Sequence, residues 1–112
     1  MSKEKLIYNY SGMKYWEKLY QKQYERLCLY EGYNGKYVGE IINDMIYDSR
    51  TGEYLGEIYE GRLIVNKSKV DKEKIKGNFM FRASNRTGHR CVKNVPEIEI
   101  PKGYEDFTAG IE

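Results

Sequence analysis

Apolar and polar positions alternate along most of this chain, and the period of that alternation changes once. Leu6, Ile7, Tyr8 and Tyr10 make residues 4–10 a predicted strand, and Ser11-Gly12 follows as a turn or helix cap. From Met13 to Cys28 the apolar residues Met13, Trp16, Tyr20, Tyr24 and Leu27 recur at steps of three and four. That spacing predicts one amphipathic helix over 13–28, capped by Ser11. Lys14, Glu17, Lys18, Gln21, Lys22 and Glu25 fill the rest of its surface. Lys18/Lys22 and Lys22/Arg26 repel slightly at helical spacing, so packing of the Trp16 face on a sheet must hold such a helix.

Beyond Leu29 the pattern is that of strands, and it contains a repeat. Gly35-Lys-Tyr37-Val-Gly39-Glu40-Ile41 returns 17 residues later as Gly52-Glu-Tyr54-Leu-Gly56-Glu57-Ile58. Strands are predicted over 36–42, 45–48, 53–59 and 62–66. Asn43-Asp44 and Glu60-Gly61 are two-residue hairpin turns, where residues tolerant of positive φ are needed. These turns set Ile41 opposite Ile46 and Ile58 opposite Leu63. Tyr54, Gly56, Ile58, Leu63 and Val65 then share a core face. Glycine inside a strand at Gly39 and Gly56 points to a bulge or to an aromatic ring laid across the backbone. Further strands are expected at 78–83 and 89–93, around a Ser84–Gly88 loop that echoes Ser49-Arg-Thr-Gly52. An edge strand fenced by Pro96 and Pro101 is expected after them. The expected architecture is α+β: antiparallel hairpins under one helix, in a single domain over 1–112. Residues 103–112 are expected to form a loosely ordered tail that Tyr104 and Phe107 can dock.

The unit Tyr-x-Gly-x-Ile, a tight turn and an apolar strand resembles the bacterial tandem-hairpin domains described as four-fold β-flowers. It is matched best over residues 29–66. A degenerate earlier copy runs through Ile7-Tyr8-Asn9, Gly12 and Tyr15, and the predicted helix interrupts it. The resemblance implies a β-rich fold and no activity. Gly-x-Tyr-x-Gly-Glu and Glu60-Gly61 also resemble MORN repeats, whose spacing is longer than 17 residues.

Composition adds that this is a globular chain of 112 residues, 40% hydrophobic and 32% charged. No apolar run is long enough for a membrane helix and no signal peptide is seen, so a cytoplasmic location is expected. Cys28 and Cys91 are then expected to be free thiols. Net charge is +2 but unevenly spread. Lys74, Lys76, Arg82, Arg86, Arg90 and Lys93 occur between residues 74 and 96 without a single acid.

Candidate chemistry is sparse. His89 and Cys91 would share a strand face, which is an ordinary strand pair more readily than a catalytic dyad. Glu40 and Glu57 are equivalent by the repeat and read best as solvated partners of nearby cations. Phe79 and Phe81 faintly resemble the aromatic strand of RNA-recognition sheets, but core packing accounts for them better. No catalytic residues, metal ligands or cofactor are assigned, and no enzyme activity is expected. Arg82, Arg86, Arg90 and Lys93 are the candidate binding residues, with Arg86 expected to be the most exposed at its loop tip. The expected function is a non-enzymatic protein-binding or adaptor module. Its partner is another protein or a second copy, and its surface is completed by exposed tyrosines. The alternative is a nucleic-acid-binding module using the same basic hairpin.

Overall fold

A computed structural model describes residues 4–70, 84–88 and 95–110. It holds eight strands and, among the described residues, no helix. They are β1 (Glu4–Asn9), β2 (Tyr15–Gln21), β3 (Arg26–Glu31), β4 (Tyr37–Ile42), β5 (Met45–Tyr47), β6 (Tyr54–Tyr59), β7 (Arg62–Asn66) and β8 (Tyr104–Asp106). Each strand pairs antiparallel with the next in the chain. A meander of this kind runs its odd-numbered strands in one direction. When seven strands close on themselves, the first and last must therefore meet in parallel. They do so, through Tyr8 opposite Arg62 and Asn9 opposite Leu63. The rest of the outer edge of β7, Ile64–Asn66, pairs with β8. The architecture is a closed seven-stranded β-barrel with an eighth strand at its seam, all-β rather than α+β.

The region read as a helix is the hairpin β2–β3 with a turn over residues 22–25. The period misled because β2 is covered on both faces. Trp16, Glu17 and Leu19 are all buried, so a strict two-residue alternation is absent and the aromatic steps of four imitate a helix. The β preference of Tyr15, Trp16, Tyr20 and Tyr24 and the like-charge pairs argued the other way. Ser11 caps no helix. It sits in the β1–β2 turn, where its hydroxyl donates to Asn9 Oδ1 at 3.1 Å.

From β4 to β7 the observed registers are those expected. Ile41 faces Ile46, and Ile58 faces Leu63. Asn43 and Asp44 have φ of 52° and 63°, and Glu60 and Gly61 have 50° and 78°, as two-residue hairpin turns of this hand require. The repeat proves to be a repeated bulge. Between β3 and β4 the pairs are Leu29–Gly39 and then Tyr30–Tyr37, which leaves Val38 extra. Between β5 and β6 they are Ile46–Gly56 and Tyr47–Tyr54, which leaves Leu55 extra. Each copy also carries an edge-on tyrosine pair, Tyr30/Tyr37 at 5.5 Å and Tyr47/Tyr54 at 6.4 Å. The turns match too. Glu31 N–H donates to Lys36 O at 2.8 Å, and Asp48 N–H to Glu53 O at 2.9 Å. The β1–β2 hairpin has a looser version, with Asn9 N–H on Lys14 O at 3.2 Å and Tyr8 near Tyr15. The bulge at Leu55 sets Tyr54 opposite Tyr47, and Tyr54 still joins the main core with Leu63 and Val65, with Ile58 packed against it, as the expected core face has it.

The main core joins Ile7, Trp16, Leu29, Ile41, Ile46, Tyr54 and Leu63, one from each of the seven barrel strands, as a small barrel filled by side chains requires. Phe107 enters it from the segment after β8 and meets Trp16 edge-on at 4.9 Å. Its ring occupies the space that a Cβ on Gly56 would need, so the strand glycine there does admit an aromatic ring. Trp16 Nε1 donates to Ala109 O at 2.8 Å, and Asn9 Nδ2 to Phe107 O at 3.1 Å. Residues 104–106 thus pair with β7 and residues 107–109 are bound to the core. Residues 95–100 form no strand. Pro96 and Pro101 cannot donate, and the segment instead lies along the β1–β2 turn through Ile98 N–H on Tyr10 O at 2.8 Å. The strands expected at 78–83 and 89–93 lie outside the described residues.

Candidate functional site

Adjacent residues on a strand face opposite ways, so Leu29 and Tyr30, both fully buried, need cover on two sides. Leu29 belongs to the barrel core. Tyr30 belongs to a second cluster with Leu19, Cys28 and Tyr37 on the other face of β2–β4. The chain covers that face with residues 84–88, here called the strap. Its backbone lies directly on the β3–β4 turn. Arg86 N–H donates to Gly35 O at 2.7 Å, and Tyr37 N–H donates to Asn85 Oδ1 at 2.9 Å. The contact is close enough that a Cβ on Gly35 would overlap the Arg86 carbonyl, and Gly35 also has φ of 76°. Glycine is therefore required at 35 on two counts.

Arg86 was expected to be exposed at a loop tip and is instead half-buried. Its Nε lies 3.1 Å from Glu17 Oε1, and its guanidinium stands 5.8 Å from the centre of the Tyr30 ring. Glu17 is only 2% exposed, so the pair offsets the cost of a buried carboxylate. The other Arg-Thr-Gly, residues 50–52, forms the β5–β6 turn and leaves Arg50 exposed. The same tripeptide serves once as a turn and once as a clamp. Arg82, Arg90 and Lys93 lie outside the described residues, as do His89, Cys91, Phe79 and Phe81.

Two more carboxylates each hold a cation. Arg26 Nη1 bonds Glu40 Oε1 at 2.6 Å, across the β3–β4 ladder beside Cys28. The carboxylate equivalent by the repeat, Glu57, takes Lys69 at 3.2 Å and the Tyr54 hydroxyl at 2.7 Å. Glu40 and Glu57 thus serve separate cations. Burial pushes the free Cys28 thiol up to about 11, and the neighbouring Glu40 carboxylate adds to the rise. At neutral pH it is a protonated thiol, a poor nucleophile. Tyr37, which shares a hydrogen bond with Ser49, and Tyr54 are likewise raised by burial. No group of three or more His, Cys, Asp or Glu is arranged to hold a metal among the described residues. Nor do the described residues hold a helix long and apolar enough to cross a membrane.

Two features were not found from the sequence: Glu17 as a buried anchor, and the strap as a cover. A carboxylate directly after Trp16 in an apolar stretch was the available signal for the first. The Arg-Thr-Gly echo pointed to the right loop but to the wrong exposure.

Shallow clefts lie among the described residues. One of about 460 Å³ runs between β6, β7 and the C-terminal segment past Tyr54, Leu55, Val65 and Ala109. One of about 250 Å³ lies between Lys36, Ser49, Arg50 and Gly110. Another of about 250 Å³ separates the β2–β3 hairpin from the strap. Among the described residues, the large hydrophobic side chains most open to solvent are Met13, 79% exposed, and Tyr33, 67% exposed. They flank the place where Gly32 N–H donates to Tyr15 O at 2.9 Å, joining the β1–β2 and β3–β4 turns. Comparison with protein-family models, curated proteins and solved structures gives no match to this chain.

Proposed function

We propose that this protein is a non-enzymatic binding module whose partner is another protein, acting in the cytoplasm. The observation that carries this reading is the contrast between engaged charges and open aromatics. Arg86, Arg26 and Lys69 are held by carboxylates of the same chain, and Cys28 is buried as a thiol. Tyr33 and Met13, by contrast, stand open on two adjoining turns of a rigid barrel. A tyrosine supplies contact area at little rotamer cost, and methionine adapts to an irregular partner. Arg82, Arg90 and Lys93, outside the described residues, stay candidate binding residues. The free Cys28 thiol is in keeping with a reducing compartment.

A photo-crosslinker placed at position 33 tests this reading. It should capture a discrete protein or a second copy, and Met13→Ser should reduce that capture. Capture unaffected by Met13→Ser counts against the surface. Oligonucleotide binding that falls by about a thousandfold or more between 50 and 200 mM salt would transfer the function to nucleic acid.

A further inference from the structure

We infer that the extended segment between Pro96 and Pro101 is an open edge that takes a basic peptide strand, one in which cationic and apolar residues alternate. The inference deepens the protein-binding reading by naming a class of partner. It uses neither Tyr33 nor Met13, so the two surfaces can fail separately.

Residues 95–101 contain no turn or bend, and the segment is held from one side. Arg62 Nη2 donates to Pro96 O at 2.8 Å, and Ile98 N–H donates to Tyr10 O at 2.8 Å. Along an extended chain the backbone groups of successive residues point to alternate sides. Ile98 is turned to the barrel, so the N–H and C=O groups of Glu97 and Glu99 are turned away from it. Both residues are exposed, and neither has a backbone hydrogen bond to a described residue. They present four backbone groups in a row to solvent, the feature with which an added strand pairs. Pro101 has no N–H and its carbonyl accepts Tyr104 N–H at 3.1 Å, so the row ends there.

The side chains select the partner, because they alternate as well. Glu97 and Glu99 make one face, and no ion pair with a described residue neutralises either carboxylate. Ile98 and Ile100, 37% and 39% exposed, make the other face. Two copies pairing antiparallel across this edge would set Glu97 of one opposite Glu99 of the other. Like charges directly opposite are destabilising, so the edge is guarded against itself. A strand with lysine at both positions meets attraction instead, and a β-branched residue between the lysines lies beside Ile98. The same two carboxylates repel nucleic acid.

The test is a titration of the full-length, nitrogen-15-labelled protein at low salt with acetyl-Thr-Lys-Val-Lys-Thr-amide, followed by NMR. The backbone amide signals of Glu97 and Glu99 should shift saturably, and their exchange with solvent should slow. Acetyl-Thr-Glu-Val-Glu-Thr-amide should bind about tenfold more weakly or worse. In the double variant Glu97→Lys, Glu99→Lys the preference should reverse by a similar factor. Unchanged signals from β4 to β7 show that this variant keeps its fold. If they move, Glu97→Gln with Glu99→Gln replaces it, and the preference should vanish. The inference is overturned if the basic peptide gives no saturable shift at Glu97 and Glu99, or if the two peptides bind alike. It is also overturned if the preference survives in the folded variant. Putrescine carries two positive charges and no peptide backbone, and should leave exchange at the two amides unchanged. Slowing by putrescine as strong as that by the basic peptide marks charge attraction without strand pairing and likewise overturns the inference.

Discussion

The hairpins β3–β4 and β5–β6 share one sequence signature, one bulge and one tyrosine pair, yet they are held from different directions. In β3–β4 the strand glycine, Gly39, faces backbone: a Cβ there would overlap the carbonyl of Tyr47 on the neighbouring strand. In β5–β6 the equivalent Gly56 faces the ring of Phe107, which arrives from the far end of the chain. The first hairpin is covered by the strap through Gly35, the second by the C-terminal segment. Tyr37 meets Ser49, whereas Tyr54 meets Glu57 and accepts the Asn66 N–H at 3.0 Å. A repeated sequence thus repeats the local backbone, while the neighbours of each copy decide what that copy tolerates.

The comparison can be broken most forcefully at Phe107, whose ring lies against the strand glycine of the second copy. Phe107→Ala removes a fully buried ring and should cost about 3–5 kcal/mol in chemical denaturation. Amide exchange should quicken in β6 and β7 more than in β3 and β4. Next is Gly39→Ala, expected to cost about 3 kcal/mol, because the obstructing atom belongs to a paired strand and cannot turn aside. A cost under about 1 kcal/mol would mean that the bulge has room to relax. The third test is titration. Cys28 is matched in the second copy by Met45, which has no proton to lose. The thiol is raised from 9.0 to about 11 in the folded protein, so the unfolded chain loses its proton first. Stability should hold below pH 9 and fall as pH rises through 11, by roughly 2 kcal/mol. Cys28→Ala should flatten the curve in that window, leaving the loss at higher pH that the raised Tyr37 and Tyr54 contribute. The mildest is Gly56→Ala, at about 1–2 kcal/mol. Its cost should shrink in a Phe107→Ala background, whereas that of Gly39→Ala should not.

What was legible in the sequence was local. Asn43-Asp44 and Glu60-Gly61 define their turns by backbone preference, and the turns define the registers of β4 to β7. The β2–β3 hairpin was not legible, because burial on both faces removes the alternation by which a strand is recognised. Nor was barrel closure, which depends on a two-residue parallel contact with no pattern of its own. The strap escaped for a related reason: Glu17 and Arg86 are 69 residues apart, and neither position signals that it must find the other. Gly39 and Gly56 were rightly read as sites of close approach, but only the folded chain distinguishes a carbonyl from a ring.

The parallel seam has a kinetic meaning. Antiparallel neighbours in a meander meet across short turns, so each hairpin can form early at low loop-closure entropy. The contact of Tyr8 and Asn9 with Arg62 and Leu63 needs the two ends of the meander to be gathered first, and it then rests on few residues. It should form last in folding and open first under native conditions, ahead of any hairpin turn. A barrel with an odd number of strands therefore carries a built-in place to come apart, set by parity before any side chain is chosen.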